Sequence, residues 1–170
     1  MSASVAPILV IMGPTASGKT ALSIAAARKF DGEIISADSM QVYRGLDIGA
    51  AKPTMAERQG IPHHLIDILD IRESLEVFTF VRLAEERIAA IHSRHRLPII
   101  TGGTGFYLRA LLYGLDPMPA DPALRAELDQ RYDHEEGFPL LKAYMRQHDP
   151  EDFSRWEMNR RKLIRACEVF

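Results

Sequence analysis

The 170-residue sequence contains little of several features that would define its class. It has a single cysteine, Cys167, so it forms no internal disulfide, which fits a reducing cytosol and predicts a cytoplasmic protein. The longest early apolar run, 8–12, is too short for a signal peptide or a membrane span, and we expect no membrane partner. The net charge of −2 predicts that any nucleic-acid binding uses local basic patches.

The apolar fraction of 46% is enough for a packed core, and the first two thirds of the chain alternate between strand and helix patterns. The predicted elements are a strand over 7–12, a helix over 21–30, a strand over 33–37, a short strand over 64–69, a helix over 79–96, a strand over 97–101 and a helix over 106–113. Residues 40–62 are irregular. So long a loop in a compact domain more often has a function than serves only as a connection. The alternation predicts an α/β fold with a parallel sheet.

The composition changes after Gly114, which is expected to end a helix. Prolines over 115–122 predict a linker, and no strand candidate follows. Asp-Pro pairs at 121–122 and 149–150 predict helix starts, and residues 137–139 (Gly-Phe-Pro) predict a break before a helix over 140–147.

This change of composition predicts that a helical appendage over 115–170 follows an α/β core over 1–114. No helix-ending residue occurs over 162–170, so we expect the chain to stop within a helix and to be part of a longer protein.

The sequence GPTASGKT matches the phosphate-loop pattern G-x-x-x-x-G-K-[ST] at every fixed position. Its residues are Gly13, Pro14, Thr15, Ala16, Ser17, Gly18, Lys19 and Thr20. Backbone N–H groups of such a loop converge on phosphate oxygens, Lys19 would neutralise phosphate charge, and the Thr20 hydroxyl would ligate Mg²⁺. Because a strand precedes the loop and a helix follows it, the core is predicted to be P-loop NTPase-like; the alternative is an ordinary Gly-rich turn.

Two further motifs follow strands of the predicted sheet. Asp38 lies just past the second strand, where open parallel sheets place their ligands, and could accept a proton or hold a metal. A turn or cap aspartate is the alternative. Thr104 belongs to the sequence GGTG after the third strand, where its hydroxyl could contact a phosphate or a substrate amine, although this motif also suits a plain turn.

Basic residues gather near the end of the sequence, against only two carboxylates, Glu157 and Glu168. They are Arg155, Arg160, Arg161, Lys162 and Arg165. A local basic patch of this kind suits contacts with a phosphate backbone, whereas the alternative is a solvated helix face. The histidines show no zinc-ligand spacing.

Taken together, these segments resemble the tRNA isopentenyltransferase family. They are GPTASGKT at 13–20, DSMQVYRGLDIGAAKP at 38–53, PHHLID at 62–67, GGTGFY at 102–107 and RKLIRACEVF at 161–170. The block at 38–53 is far more specific than the phosphate loop.

The resemblance implies transfer of a dimethylallyl group from dimethylallyl diphosphate to N6 of the adenosine on the 3′ side of the tRNA anticodon, position 37, with release of diphosphate. It implies Mg²⁺ as cofactor, the anticodon stem-loop as partner and a monomeric enzyme. It also implies that residues 115–158 form an inserted helical domain that binds tRNA, and that residues 159–170 begin a helix that returns to the core. Residues 13–20 would hold the diphosphate, with Lys19 stabilising its charge. Asp38 would act as the general base and Thr104 as a contact from the opposite wall.

The resemblance also implies residues that contact the tRNA, in two segments of the sequence and at two isolated positions. They are Asp38, Ser39, Met40, Gln41, Thr104, Arg125, Arg161, Lys162, Leu163, Ile164 and Arg165. Family members usually have Gln-Arg where this chain has Arg161 and Lys162, which puts a base-specific contact there in doubt. Members are also longer, so we expect the 170-residue chain alone to be almost inactive.

Three other functions compete with this interpretation. A small-molecule or nucleotide kinase would use the same loop with ATP, but the block at 38–53 has no purpose in it. An adenylate isopentenyltransferase would use a free nucleotide as acceptor, whereas the helical part and its basic end favour a large RNA. A nucleotide-binding regulatory module would tolerate replacement of Asp38 by asparagine.

Overall fold

The computed structural model describes residues 6–115 and 121–169. The chain divides into two compact units, 1–115 and 116–170, which are described separately below. Most of the predicted linker, residues 116–120, lies outside the described residues. Across the two described ranges, the helices are too short or too polar to cross a bilayer.

The first unit is a four-stranded parallel sheet with helices, which confirms the predicted α/β fold. Its elements are β1 (Leu9–Met12), α1 (Lys19–Phe30), β2 (Gly32–Ser36), α2 (Met55–Arg58), β3 (His63–His64), α3 (Val77–His92), β4 (Leu97–Gly102) and α4 (Gly105–Tyr113). The strand order is β1-β4-β2-β3, so β4 lies between the first two strands of the sequence.

The central strands β2 and β4 are buried on both faces because helices cover both sides of the sheet. Ile34 and Ile99 pair in register and pack against α1, in a cluster with Ile24 and Ala27. Ile35 and Ile100, one position further along, pack on the other face against residues of α3 and α4. The continuous apolar runs in the sequence therefore contribute side chains to two separate core layers, one on each face of the sheet.

Three predicted elements of this unit differ from the structure. The strand expected over 64–69 is the two-residue β3, because Leu65 and Asp67 have φ angles of 60° and 59°, which end the extended conformation. The helix expected over 79–96 ends at His92, before His95 takes a φ of 57°. The segment 40–62 contains the short helix α2, capped by reciprocal hydrogen bonds of Thr54 and Glu57.

Glu33, near the amino end of β2, is a buried carboxylate with a side chain 3% exposed. It accepts two hydrogen bonds from Arg94 at 3.1 and 2.8 Å, one from Arg96 at 3.3 Å, and contacts His64 Nε2 at 2.7 Å. Burial alone would raise the pKa of Glu33, but the hydrogen bonds and charges of Arg94 and His64 outweigh it and lower the pKa to about 2. This cluster joins β2, β3 and the turn before β4.

Over its described residues, 121–169, the second unit is helical and contains α5 (Pro122–Tyr132), α6 (Gly137–His148), α7 (Pro150–Trp156) and α8 (Arg160–Val169). Asp121 and Asp149 cap α5 and α7 as the Asp-Pro pairs predict. The predicted break at 137–139 is wrong: these residues form the first turn of α6, where proline needs no hydrogen-bonding N–H. Gly137 is packed there so closely that a Cβ would lie 2.4 Å from the Arg131 carbonyl oxygen.

Apolar residues from all four helices form the core of the second unit. The buried members are Leu128, Tyr132, Leu141, Met145, Phe153, Leu163 and Ile164. Leu163 and Ile164 of α8 are fully buried in this cluster. Helix α8 therefore completes the helical unit, while the return of segment 159–170 to the α/β core stays a prediction.

Gly102→Ala should destabilise the first unit, because a Cβ at this position would lie 2.2 Å from the Ala37 carbonyl oxygen. We expect the free energy of unfolding to fall by about 2–4 kcal/mol, measured by urea denaturation. Gly105→Ala is the matched control, since nothing lies within 4 Å of the position that its methyl group would take, and its effect should stay within about 1 kcal/mol. Equal stability of the two variants would contradict the close approach.

Glu33→Gln should lower the free energy of unfolding at neutral pH by about 3 kcal/mol, since it removes a buried carboxylate charge that Arg94 and His64 stabilise in the folded state. The pKa of Glu33 is lowered from 4.5 to about 2 on folding. Its stabilisation is therefore complete above about pH 4.5 and disappears as the pH falls through about 2. Urea unfolding at a series of pH values should show that the free energy of unfolding falls more steeply toward acid pH in the wild type than in Glu33→Gln. Glu86→Gln is the control, because Glu86 forms an exposed ion pair with Arg82. Its free energy of unfolding should depend on pH as steeply as that of the wild type.

Candidate functional site

Three parallel strands end at one edge of the sheet, and each is followed by one of the predicted functional segments. In the pairing of β1 with β4, Met12 lies opposite Gly102, and in that of β2 with β4, Ser36 lies opposite Thr101. The phosphate loop, Asp38 and the GGTG segment therefore begin side by side. This edge, at the carboxyl ends of the strands, is where open α/β sheets bind ligands.

The phosphate loop runs from the end of β1 into α1 and is largely exposed. Ala16 and Gly18 have φ angles of 63° and 82°, and Gly18 caps α1 without any side-chain hydrogen bond to the first turn. The initial N–H groups of a helix have no partner within it and carry partial positive charge. Lys19 Nζ donates to the Pro14 carbonyl, which places its ammonium over the loop. This arrangement suits an anion.

The Asp38 carboxylate is held by the backbone that follows it. Its Oδ1 accepts hydrogen bonds from the N–H groups of Met40 at 2.9 Å and Gln41 at 3.4 Å, which closes an Asx turn. Its Oδ2 receives no hydrogen bond from the residues that the structure describes. One oxygen thus fixes the side chain, and the other is available to a ligand.

Thr104 connects the GGTG segment to the Asp38 segment. Its Oγ1 accepts a hydrogen bond from the Ser39 N–H at 3.0 Å, and its own N–H donates to the Ala37 carbonyl at 3.3 Å. Because a hydroxyl both accepts and donates, the Thr104 proton can still be given to a ligand. The contact fixes the distance between the ends of β2 and β4.

A cleft of about 380 Å³, including its solvent-open mouth, lies beside this edge. Lys19 and Thr20 of α1, Asp38 and Gln41 after β2, and Thr101 of β4 contribute to its lining. The structure therefore brings together the predicted cation, hydroxyl and carboxylate. Thr104 is linked to this group through Ser39.

Gln41 has an internal role that its place among the predicted tRNA-contacting residues does not indicate. Its side-chain Oε1 accepts from the Ser36 hydroxyl at 2.9 Å, and its Nε2 donates to the carbonyls of Ala50 at 3.2 Å and Ala51 at 3.5 Å. The amide thus ties the end of β2 to the loop ten residues later. Met40 beside it is exposed.

Lys52 is the residue of this region that sequence reasoning missed. Its side chain is 3% exposed, and its ammonium contacts Asp47 at 3.0 Å, Asp67 at 2.5 Å and the Tyr43 carbonyl at 2.5 Å. Burial alone would lower its pKa, but the hydrogen bonds and charges of Asp67 and Asp47 raise it, so the ammonium stays charged. Lys52 stands within the specific block 38–53, but nothing in the local sequence indicates that its ammonium is buried or that Asp67 is a partner.

The predicted tRNA-contacting residues of the helical unit fall into three groups. Arg161 and Lys162 are exposed, with Lys162 Nζ 3.6 Å from the centre of the Trp156 ring. The side chains of Leu163 and Ile164 are fully buried, because an apolar pair on the inner face of an amphipathic helix packs inward. Their place among the tRNA-contacting residues stays a prediction.

The other two predicted arginines, Arg125 and Arg165, share one buried carboxylate. Glu168, with a side chain 4% exposed, pairs with Arg165 at 2.6 Å and with Arg125 at 3.4 Å. Arg125 also pairs with Asp129 on its own helix at 2.9 Å. The two guanidinium groups are therefore held on adjacent parts of the helical unit.

Comparison with known proteins finds a match to the IPP transferase family over residues 41–170. The chain is 50% identical over 164 residues to a tRNA dimethylallyltransferase of Anaeromyxobacter sp. (strain Fw109-5), covering 95% of this chain and 54% of that protein. It is 46% identical over 172 residues to a tRNA dimethylallyltransferase of Deinococcus radiodurans, covering 100% of this chain and 55% of that protein. The chain thus spans about half the length of these curated relatives.

Solved structures agree with these matches. The full-length tRNA isopentenylpyrophosphate transferase of Bacillus halodurans matches with a TM-score of 0.63 and 44% identity, over 95% of this chain and 54% of that one. A eukaryotic dimethylallyltransferase acting on tRNA matches with a TM-score of 0.76 and 32% identity, over 95% of this chain and 40% of that one.

Thr104→Val should destabilise the junction between the ends of β2 and β4, because it leaves the Ser39 N–H without its acceptor. We expect a loss of about 1–3 kcal/mol in the free energy of unfolding, measured by urea denaturation. Thr104→Ser keeps the hydroxyl oxygen and should stay within about 1 kcal/mol of the wild type. If valine and serine were equally tolerated, the hydrogen bond would not be holding the two segments together.

Proposed function

The chain belongs to the IPP transferase family, and from that premise we propose that the whole protein is a tRNA dimethylallyltransferase. It transfers a dimethylallyl group from dimethylallyl diphosphate to N6 of the adenosine at position 37, on the 3′ side of the anticodon. Diphosphate is released. The anticodon stem-loop is the proposed RNA partner, and a cytoplasmic monomer the proposed form.

The observation that carries this proposal is the meeting of an anion-binding loop and a carboxylate in one cleft. Lys19 and Thr20 line it from the start of α1, and Asp38 lines it from the end of β2. A group transfer from a diphosphate to an amine needs positive charge at the leaving group and a proton acceptor at the nucleophile. Both are supplied within the same cleft.

Asp38 is the proposed proton acceptor. Since Met40 and Gln41 donate to Oδ1, the carboxylate keeps one orientation and offers Oδ2 to the exocyclic amine. An adenine amine is a weak nucleophile, so its alignment contributes as much as proton removal. As the new bond between N6 and the allylic carbon forms and the carbon–oxygen bond to diphosphate breaks, the amine proton passes to Asp38.

Lys19 and the phosphate loop are the proposed leaving-group site. Negative charge develops on the diphosphate as the carbon–oxygen bond breaks, and donors that are already oriented stabilise it without further reorganisation. The loop offers the N–H groups at the start of α1, which lack a side-chain cap, and the Lys19 ammonium above them. These groups bind charge and make no covalent bond.

Mg²⁺ is the proposed cofactor, and the residues at the cleft fit it. Among the described residues no cluster of three or more histidine, cysteine or carboxylate side chains could enclose a metal ion. Mg²⁺ commonly binds through few protein oxygens together with substrate phosphates and waters, so the Thr20 hydroxyl is a sufficient protein ligand beside the phosphate loop. When bound, it would supply charge neutralisation to the diphosphate.

The helical unit is the proposed source of RNA backbone contacts outside the cleft. Arg161 and Lys162 are exposed at the start of α8, and Arg125 and Arg165 carry charge on the same unit. Contacts of lysine and arginine with phosphates supply affinity that falls steeply with salt. The overall charge of −2 makes such a local surface necessary.

Asp38→Asn in the whole protein should lower kcat for tRNA prenylation by roughly 10²–10⁴-fold. The asparagine Oδ1 can still accept from Met40 and Gln41, so the turn is kept while proton acceptance is lost. Transfer of radiolabelled dimethylallyl to an anticodon stem-loop measures the rate. Asp31→Asn is the matched control: its carboxylate is 79% exposed, and asparagine tolerates the left-handed backbone found there.

Calorimetry with the same protein separates the competing functions. Binding of dimethylallyl diphosphate with Mg²⁺, without binding of ATP with Mg²⁺, is the expected result. Tight ATP binding together with an Asp38→Asn variant of undiminished activity would overturn the transferase proposal.

A further inference from the structure

Lys52 occupies a buried position in an irregular segment, which is an unusual place for an ammonium group. Lysine is almost never fully buried unless it is paired. All three hydrogens of its ammonium have acceptors: Asp47, Asp67 and the Tyr43 carbonyl. A single charge therefore holds two points of its own segment, Tyr43 and Asp47, and one point of the later segment, Asp67.

Stability alone does not account for this arrangement. A buried ion pair adds little to stability compared with apolar groups of similar size, and its best-attested use is to specify one geometry. The two carboxylates lie within reach of the same nitrogen, so without Lys52 they would repel each other. The lysine thus holds together a conformation that the chain would not otherwise keep.

The backbone around Lys52 is also strained. Ala51, Leu65 and Asp67 have φ angles of 46°, 60° and 59°, in a region that non-glycine residues rarely adopt. Such residues persist only where surrounding contacts over-determine them, and they cluster at functional sites. Two of the three, Ala51 and Asp67, directly adjoin or make the Lys52 contacts.

The segment held by Lys52 connects to the Asp38 carboxylate through Gln41. The Gln41 carbonyl accepts from the Asp67 N–H at 3.1 Å, and its side chain donates to the carbonyls of Ala50 and Ala51. The Gln41 N–H in turn donates to Asp38 Oδ1. Apart from the Ser36 hydroxyl of β2, which donates to its side-chain oxygen, Gln41 is therefore supported by residues that Lys52 anchors or adjoins.

We propose that Lys52 is a positioning residue for the transfer reaction, fixing Gln41 and, through it, the orientation of the Asp38 carboxylate. The proposal rests on the proposed function, because it assigns a role toward the reacting amine. Lys52 is not a catalytic residue: it contacts neither the phosphate loop nor the other cleft-lining residues of α1 among the described residues.

Lys52→Met in the whole protein tests this role, because methionine is similar in length and carries no charge. We expect kcat for prenylation of the anticodon stem-loop to fall by roughly 10–100-fold, as displacement of a catalytic group by about 1 Å does. KM for dimethylallyl diphosphate should change by less than about threefold, since the phosphate loop is untouched. Lys52→Arg, which keeps the charge, should retain more of kcat than Lys52→Met.

Lys29→Met is the matched control, because Lys29 is an exposed lysine near the end of α1 whose ammonium lies over the Phe30 ring. It should keep wild-type kcat and KM. Hydrogen exchange of residues 38–52 should quicken in Lys52→Met and stay unchanged in Lys29→Met, which shows whether the segment has loosened.

Asp67→Asn keeps the test decisive if Lys52→Met fails to fold. Its side chain is 42% exposed, so its loss should be tolerated by the fold, and it should lower kcat without changing KM for the diphosphate. Full kcat in a folded Lys52→Met or Asp67→Asn variant would overturn the positioning role. An inactive wild type would instead contradict the proposed transferase function, so the two failures are distinguishable.

Discussion

The parallel pairing of β4 between β1 and β2 is the constraint on which the candidate site depends. A strand inserted between the first two strands brings three carboxyl ends to one edge of the sheet, and each end leads into a segment with functional groups. The approach is close enough at Gly102 to exclude any side chain beside Ala37. Thr104 then joins the two neighbouring segments through Ser39. The cleft therefore depends first on the strand order, which brings the segments together, and only then on the individual side chains that line it.

Much of this fold could be predicted from the sequence, because the signals were local. Apolar runs followed directly by glycine or aspartate mark the ends of β1, β2 and β4, and the Asp-Pro pairs mark the starts of α5 and α7. The strand order could not be predicted in this way, since it depends on pairings between residues far apart in the sequence, such as Ser36 with Thr101.

The errors have identifiable physical causes. The run at 64–69 is apolar and suits a strand, but tertiary contacts impose left-handed backbone at Leu65 and Asp67. The proline near the start of α6 was interpreted as a helix breaker although the first turn tolerates it. The motif that places Leu163 and Ile164 among tRNA contacts gives no sign that their apolar side chains fill the core of the helical unit.

Under the proposed function, the two parts of the candidate site place different demands on the protein, and the distribution of buried charge matches them. Binding a diphosphate relies on backbone N–H groups at the start of a helix, which hold an anion without exact side-chain placement. Aligning a weak amine nucleophile against one carboxylate oxygen requires positioning within a fraction of an ångström. The phosphate loop is accordingly exposed and made of small residues, whereas the segment after Asp38 contains a buried, fully paired ammonium. The most specific part of the sequence, residues 38–53, thus contains the segment whose geometry the buried ammonium fixes.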